Sequence, residues 1–68
     1  MDKVYLIDKY NNGEKYGYLT DAEACQLYND VNLAFLLAEE LHAGRAVVMY
    51  YANLRASIEI MLQARNLL

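Results

Sequence analysis

Val4-Tyr5-Leu6-Ile7-Asp8-Lys9-Tyr10 and Lys15-Tyr16-Gly17-Tyr18-Leu19 flank an Asn11-Asn12-Gly13-Glu14 centre. Asn-Gly between two runs of β-favouring residues is the strongest short-range hairpin signal. A β-hairpin over residues 1–19 is the expected structure. With Asn12-Gly13 as a two-residue turn, Lys9 faces Tyr16 and Ile7 faces Tyr18. One side of the ribbon then carries Tyr5, Ile7, Tyr16 and Tyr18, and the other Val4, Leu6, Tyr10 and Leu19. Both sides are largely apolar, whereas a two-stranded ribbon normally keeps one side wet. The pattern predicts a neighbour on each side.

Downstream, Thr20-Asp21-Ala22-Glu23 has the spacing of a capping box and predicts an acidic helix over 20–43. Ala24, Leu27, Val31, Ala34, Ala38 and Leu41 follow at steps of three and four, and Gly44 suits a left-handed residue at the helix end. Residues 33–38 are apolar all round, which predicts burial on more than one side. The last third can be read in two ways. Val47, Tyr51, Leu54, Ile58, Met61 and Leu68 keep helical spacing, with Arg65 as the one polar intruder, and favour a second helix over 45–67. Against this, Ala46-Val47-Val48-Met49-Tyr50-Tyr51 is rich in β-formers, and Asn53 can cap a shorter helix over 53–67 after a strand at 45–51. The expected class is α+β in the order ββαα, a hairpin followed by two antiparallel helices, with ββαβα and a three-stranded sheet as the alternative.

The 68 residues allow one small domain, 1–68. Burial at ~25 cal/mol per Å² supplies about 100 kcal/mol for a chain of this size, and ordering it at ~1.5 kcal/mol per residue opposes that by about as much. A monomer near balance needs a disulfide, a metal or a partner. One Cys and one His exclude the first two in their common forms, so association, most simply as a homodimer, is expected. The lone thiol and the absence of a long apolar run fit a cytoplasmic protein with no membrane segment. Charge is segregated. Residues 1–19 are neutral, residues 20–44 carry Asp21, Glu23, Asp30, Glu39 and Glu40 without a base, and Arg45, Arg55 and Arg65 face only Glu59 in the remainder.

Chemical signatures are weak. Glu39-x-x-His42 matches the unit used by di-iron bundles, but Glu39 and Glu59 would lie roughly 15 Å apart along a helical hairpin, too far for one metal layer. His42 has only Ser57 as a hydroxyl partner candidate outside Tyr and the capping Thr20. Cys25 has acidic neighbours that oppose thiolate formation, which predicts an inert, partly buried thiol. Gly13, Gly17 and Gly44 form no phosphate loop. No catalytic residue, metal site or cofactor is expected, and the chain does not read as an enzyme. Strand, helix, helix is also the order of ribbon-helix-helix repressors, but this ribbon is neutral where theirs is basic, so direct nucleic-acid binding is not expected.

Seven Tyr in 68 residues is the compositional signal that remains. Tyr combines a large contact area with a polar tip and is enriched at interfaces. The leading expectation is a non-enzymatic protein–protein interaction module, a small inhibitor or modulator of a host macromolecule of the kind phages and mobile elements encode. Tyr5, Ile7, Tyr16, Tyr18, Tyr50 and Tyr51 would meet another protein. Leu33, Leu36, Leu37, Leu54, Ile58 and Met61 would join the subunits of the homodimer. The alternatives are a structural subunit of a larger assembly, or an acidic mimic of nucleic acid acting on a nucleic-acid-binding protein.

Overall fold

The computed structural model describes residues 3–13 and 18–68, with the backbone alone for residues 3–5. Among these residues there are three helices and no strand: α1 (Lys3–Asn11), α2 (Asp21–Glu40) and α3 (Arg45–Ala64). The α+β expectation, in both its ββαα and ββαβα forms, is therefore overturned. The chain is helical where the hairpin was expected to begin, and helical again through 45–51.

The physical reason at the N-terminus is tertiary. Leu6 and Tyr10 lie one helical turn apart, with Ile7 beside them, so a helix gathers all three on one side, whereas a ribbon splits them between two faces. Leu6 is buried, and Ile7 and Tyr10 pack on the same cluster. Burial of this kind outweighs the modest β preference of Val, Tyr and Ile, which depends on context. Asn12, taken as a hairpin turn residue, instead closes the helix. Its backbone N–H donates to the Asp8 carbonyl at 3.0 Å, and its side-chain amide donates to that carbonyl and to Asp8 Oδ1, both at 3.0 Å. Asn-Gly follows the end of an element in either structure, which is why it does not discriminate between them.

The capping box at Thr20 is fully formed. Glu23 N donates to Thr20 Oγ1 at 3.1 Å, and Thr20 N donates to Glu23 Oε1 at 2.9 Å. The Glu23 carboxylate also accepts from Lys9 Nζ at 3.0 and 3.2 Å, so one side chain both starts α2 and fastens α1 to it. The N–H of Thr20, then the Lys9 ammonium, hold the Glu23 carboxyl below its ordinary value of 4.5.

Helix α2 ends differently from expectation. The left-handed residue is His42, with φ 55°, while Gly44 has φ −58° and serves as the N-cap of α3. His42 N bonds the Glu39 carbonyl at 3.2 Å and Ala43 N the Ala38 carbonyl at 2.9 Å, the paired bonds of a Schellman motif. Helix α3 ends in the same way around Asn66, with φ 58° and with Asn66 N to Gln63 O and Leu67 N to Leu62 O at 3.0 and 2.8 Å.

Helices α2 and α3 run antiparallel, as the cross-pairs Tyr28 to Glu59, Asn32 to Arg55 and Asp21 to Arg65 require. The core, Leu6, Leu19, Ala24, Leu27, Val31, Ile58 and Leu62, lies toward the open end of this hairpin, where α1 covers it. Each large side chain taken from water there contributes on the order of 1.5–3 kcal/mol. No helix among the described residues is long and apolar enough to cross a membrane.

Candidate interaction surface

The two broad faces of the α2–α3 hairpin are finished differently. On the face away from α1, polar groups lace the helices together. Tyr28 Oη donates to Glu59 Oε1 at 3.4 Å, Arg55 Nη1 donates to Asn32 Oδ1 at 3.1 Å, and the Arg55 guanidinium stands 4.2 Å over the Phe35 ring. On the other face α1 fills the groove at the open end. Lys9 reaches Glu23 of α2, and Tyr10 Oη pairs with Ser57 Oγ of α3. Arg65 seals the edge by donating to the Leu19 carbonyl at 2.9 Å and to Asp21 Oδ1 at 3.1 Å.

Among the described residues, helix α1 is too short to fill the groove to its far end. Its nine residues span about 13 Å, against about 30 Å for each of the twenty-residue helices beneath. Positions seven apart return to within about 20° of the same direction, so the α1 face can be followed along each helix. On α2 the line Glu23, Asp30 continues to Leu37, and Gln26 continues to Leu33. On α3 the line Met61, Leu54 continues to Val47, and Ser57 continues to Tyr50. Beyond the end of α1 the same groove is therefore rimmed by Leu33, Leu37, Val47 and Tyr50. All four are about half exposed, and Leu41 at the turn is 75% exposed. The small Ala34 and Ala38 lie between them along α2. By the same spacing Glu39 and Arg45 fall on the opposite side, while Glu40 follows Leu33 on the Gln26 line and sets one carboxylate at the edge of this half.

The expected partner residues are scattered. Tyr16 and the side chain of Tyr5 lie outside the described residues. Ile7 is half-buried and packs on the core, so the shared ribbon face expected for it with Tyr18 does not exist, while Tyr18 is 81% exposed. Tyr50 and Tyr51 meet edge to face, with ring centroids 5.1 Å apart. Tyr51 leans on the core and Tyr50 faces outward. Of the residues expected to join subunits, Leu33, Leu36 and Leu37 are exposed and Leu54 and Met61 half-buried. Ile58 is fully buried within the chain's own core. Leu41 and Val47 were missed. The seven-residue spacing that groups them was available, but it becomes informative only once α1 is known to stop after two turns.

Chemistry is sparse elsewhere. Among the described residues no group of three or more His, Cys, Asp or Glu could hold a metal ion. The Ser57 hydroxyl is engaged by Tyr10. Cys25, expected to be partly buried, is exposed, because it sits one position beyond the buried Ala24. No protein-family model matches the chain, and no curated protein or solved structure matches it.

Proposed function

We propose that this chain is a non-enzymatic protein–protein interaction module, a small modulator that works by laying the uncovered half of its α1-side groove against another protein surface. The observation that supports this reading is the exposed apolar run of Leu33, Leu37, Leu41, Val47 and Tyr50, which no described residue of α1 covers. Its exposed area is on the order of 500 Å², within the range of the largest apolar patch on a typical monomer, which is often functional. The groove also has the shape that takes an apolar helix, because α1 already occupies its other half as one.

The test is capture of a defined protein from source-cell lysate on the immobilised chain, compared with Leu37→Glu and Tyr50→Glu. A stoichiometric partner held by the unsubstituted chain and lost by both variants, with the helical signal unchanged, supports the reading. Capture that survives both substitutions removes this face from consideration.

A further inference from the structure

We propose that Asn12 and Gly13 form a site of spontaneous covalent modification, an intramolecular deamidation that releases α1 from the α2–α3 hairpin. The Asn-Gly pair stands where α1 ends, and Asn12 is exposed to water.

The reaction needs only these two residues and water. The backbone nitrogen of Gly13 attacks Cγ of the Asn12 side chain, so an N–Cγ bond forms and the Cγ–Nδ2 bond breaks. The Gly13 amide proton passes through solvent to the leaving nitrogen, which departs as ammonia. Water then opens the cyclic imide at either carbonyl, leaving aspartate or isoaspartate at position 12. One water is consumed, one ammonia is released, and nothing is oxidised or reduced. A following Gly crowds the attack least, because it carries no Cβ. That position is kept small by Tyr18, since a Cβ on Gly13 would stand 3.0 Å from both Cδ1 and Cε1 of its ring.

The reaction removes the group that closes α1. Asn12 Nδ2 donates to the Asp8 carbonyl and to Asp8 Oδ1, each at 3.0 Å. In the product that nitrogen is gone, and a carboxylate stands in its place as an acceptor facing two acceptors. Like charges four residues apart disfavour a helix, and an anion at a helix C-terminus opposes its dipole. The new charge is also added to a chain that already carries −3. Helix α1 has nine residues and no stability of its own, so it depends on its closure as well as on its docking. Its release uncovers the buried Leu27, Val31, Ile58 and Leu62. Attack requires the carboxamide to leave Asp8 and turn toward Gly13, so conversion in the folded chain waits on the opening of this closure.

The experiment is incubation of the full chain at mildly alkaline pH with sampling over time. Peptide mass mapping and isoaspartyl methyltransferase labelling follow position 12, while circular dichroism and an apolar fluorescent dye follow the fold. Amide-to-acid exchange is expected at Asn12 well ahead of Asn29, Asn32, Asn53 and Asn66, none of which precedes Gly. The helical signal should fall in proportion to conversion, by no more than the share of the nine α1 residues, and dye fluorescence should rise with it. Asn12→Asp should show the same loss without incubation. Adding Asp8→Asn, which puts a donor opposite the new carboxylate, should recover it.

Conversion at Asn12 no faster than at Asn29 overturns the site. Conversion that leaves helical signal and dye fluorescence unchanged overturns the release of α1. An Asn12→Asp chain that Asp8→Asn does not rescue overturns the release as well.

Discussion

Replacing Leu6 with Ala removes the one α1 side chain that is buried among the described residues, at 3% exposure. In a packed core a Leu to Ala change lowers stability by about 2–5 kcal/mol. The lower half of that range applies here, because α1 can lift away and need not leave a sealed cavity. A nine-residue helix has no stability of its own in water, so α1 is helical because it is docked. For a chain of this length total stability is about 3–10 kcal/mol, so a loss of about 2–3 kcal/mol removes a large fraction of it. Urea denaturation followed by far-ultraviolet circular dichroism measures both consequences. The transition midpoint falls, and the helical signal before the transition drops by the share of the nine α1 residues. Binding of an apolar fluorescent dye rises as the groove over Leu27, Val31, Ile58 and Leu62 opens. A variant with undiminished helical signal and a loss under ~0.5 kcal/mol, the level of an ordinary surface change, would refute the docking of α1 through Leu6.

Glu23→Gln is expected to lower the thermal midpoint at neutral pH. Because the folded carboxyl is held below 4.5, its contribution is present above that value and is lost as pH falls through the folded one, so thermal melts of variant and parent should converge in acid. His42→Gly should raise stability by about 0.5–1 kcal/mol in the same urea assay, because a left-handed φ of 55° strains a side-chain-bearing residue and suits Gly. Gly44→Asp should add about 0.5–1 kcal/mol. A Cβ there meets nothing within 4 Å, α3 lacks a side-chain cap, and its first turn has no acid to complement the helix dipole. Melts showing no gain for Gly44→Asp would mean that the α3 N-terminus is already satisfied by solvent.

What could be read from the sequence was whatever depended on neighbours a few residues away. The Thr20 to Glu23 box depends on a spacing of three, and it is present in full. The Leu54, Ile58, Met61 spacing expresses the helix that carries it, although the β-rich 46–51 run left that helix open to doubt at its start. The first nineteen residues failed because their local signals are truly two-valued. Val4, Tyr5 and Ile7 favour strands, Leu6 and Tyr10 also satisfy a helical step, and Asn-Gly ends either element. The balance is decided by α2 and α3, whose groove accepts Leu6, Ile7 and Tyr10 only when they lie on one side. The candidate surface shows the same division. Its apolar side chains could be named from spacing, but their exposure follows from the length of α1, which the hairpin expectation concealed.

The placement of the core at the open end of the α2–α3 hairpin sets how the molecule breathes. The covalent link at residues 41–44 joins the helices where they are least packed, and the tight cluster of Leu27, Val31, Ile58 and Leu62 holds them at the opposite end. Amide hydrogens should accordingly exchange through global unfolding around those four residues, and through fraying of the turn-proximal ends near Leu37 and Tyr50. The hairpin is gripped by packing at its free ends and only tethered at its bend. A molecule that settled on the bare half of the groove would therefore be felt first as slowed exchange at the bend, in the part of the fold that has the most order still to gain.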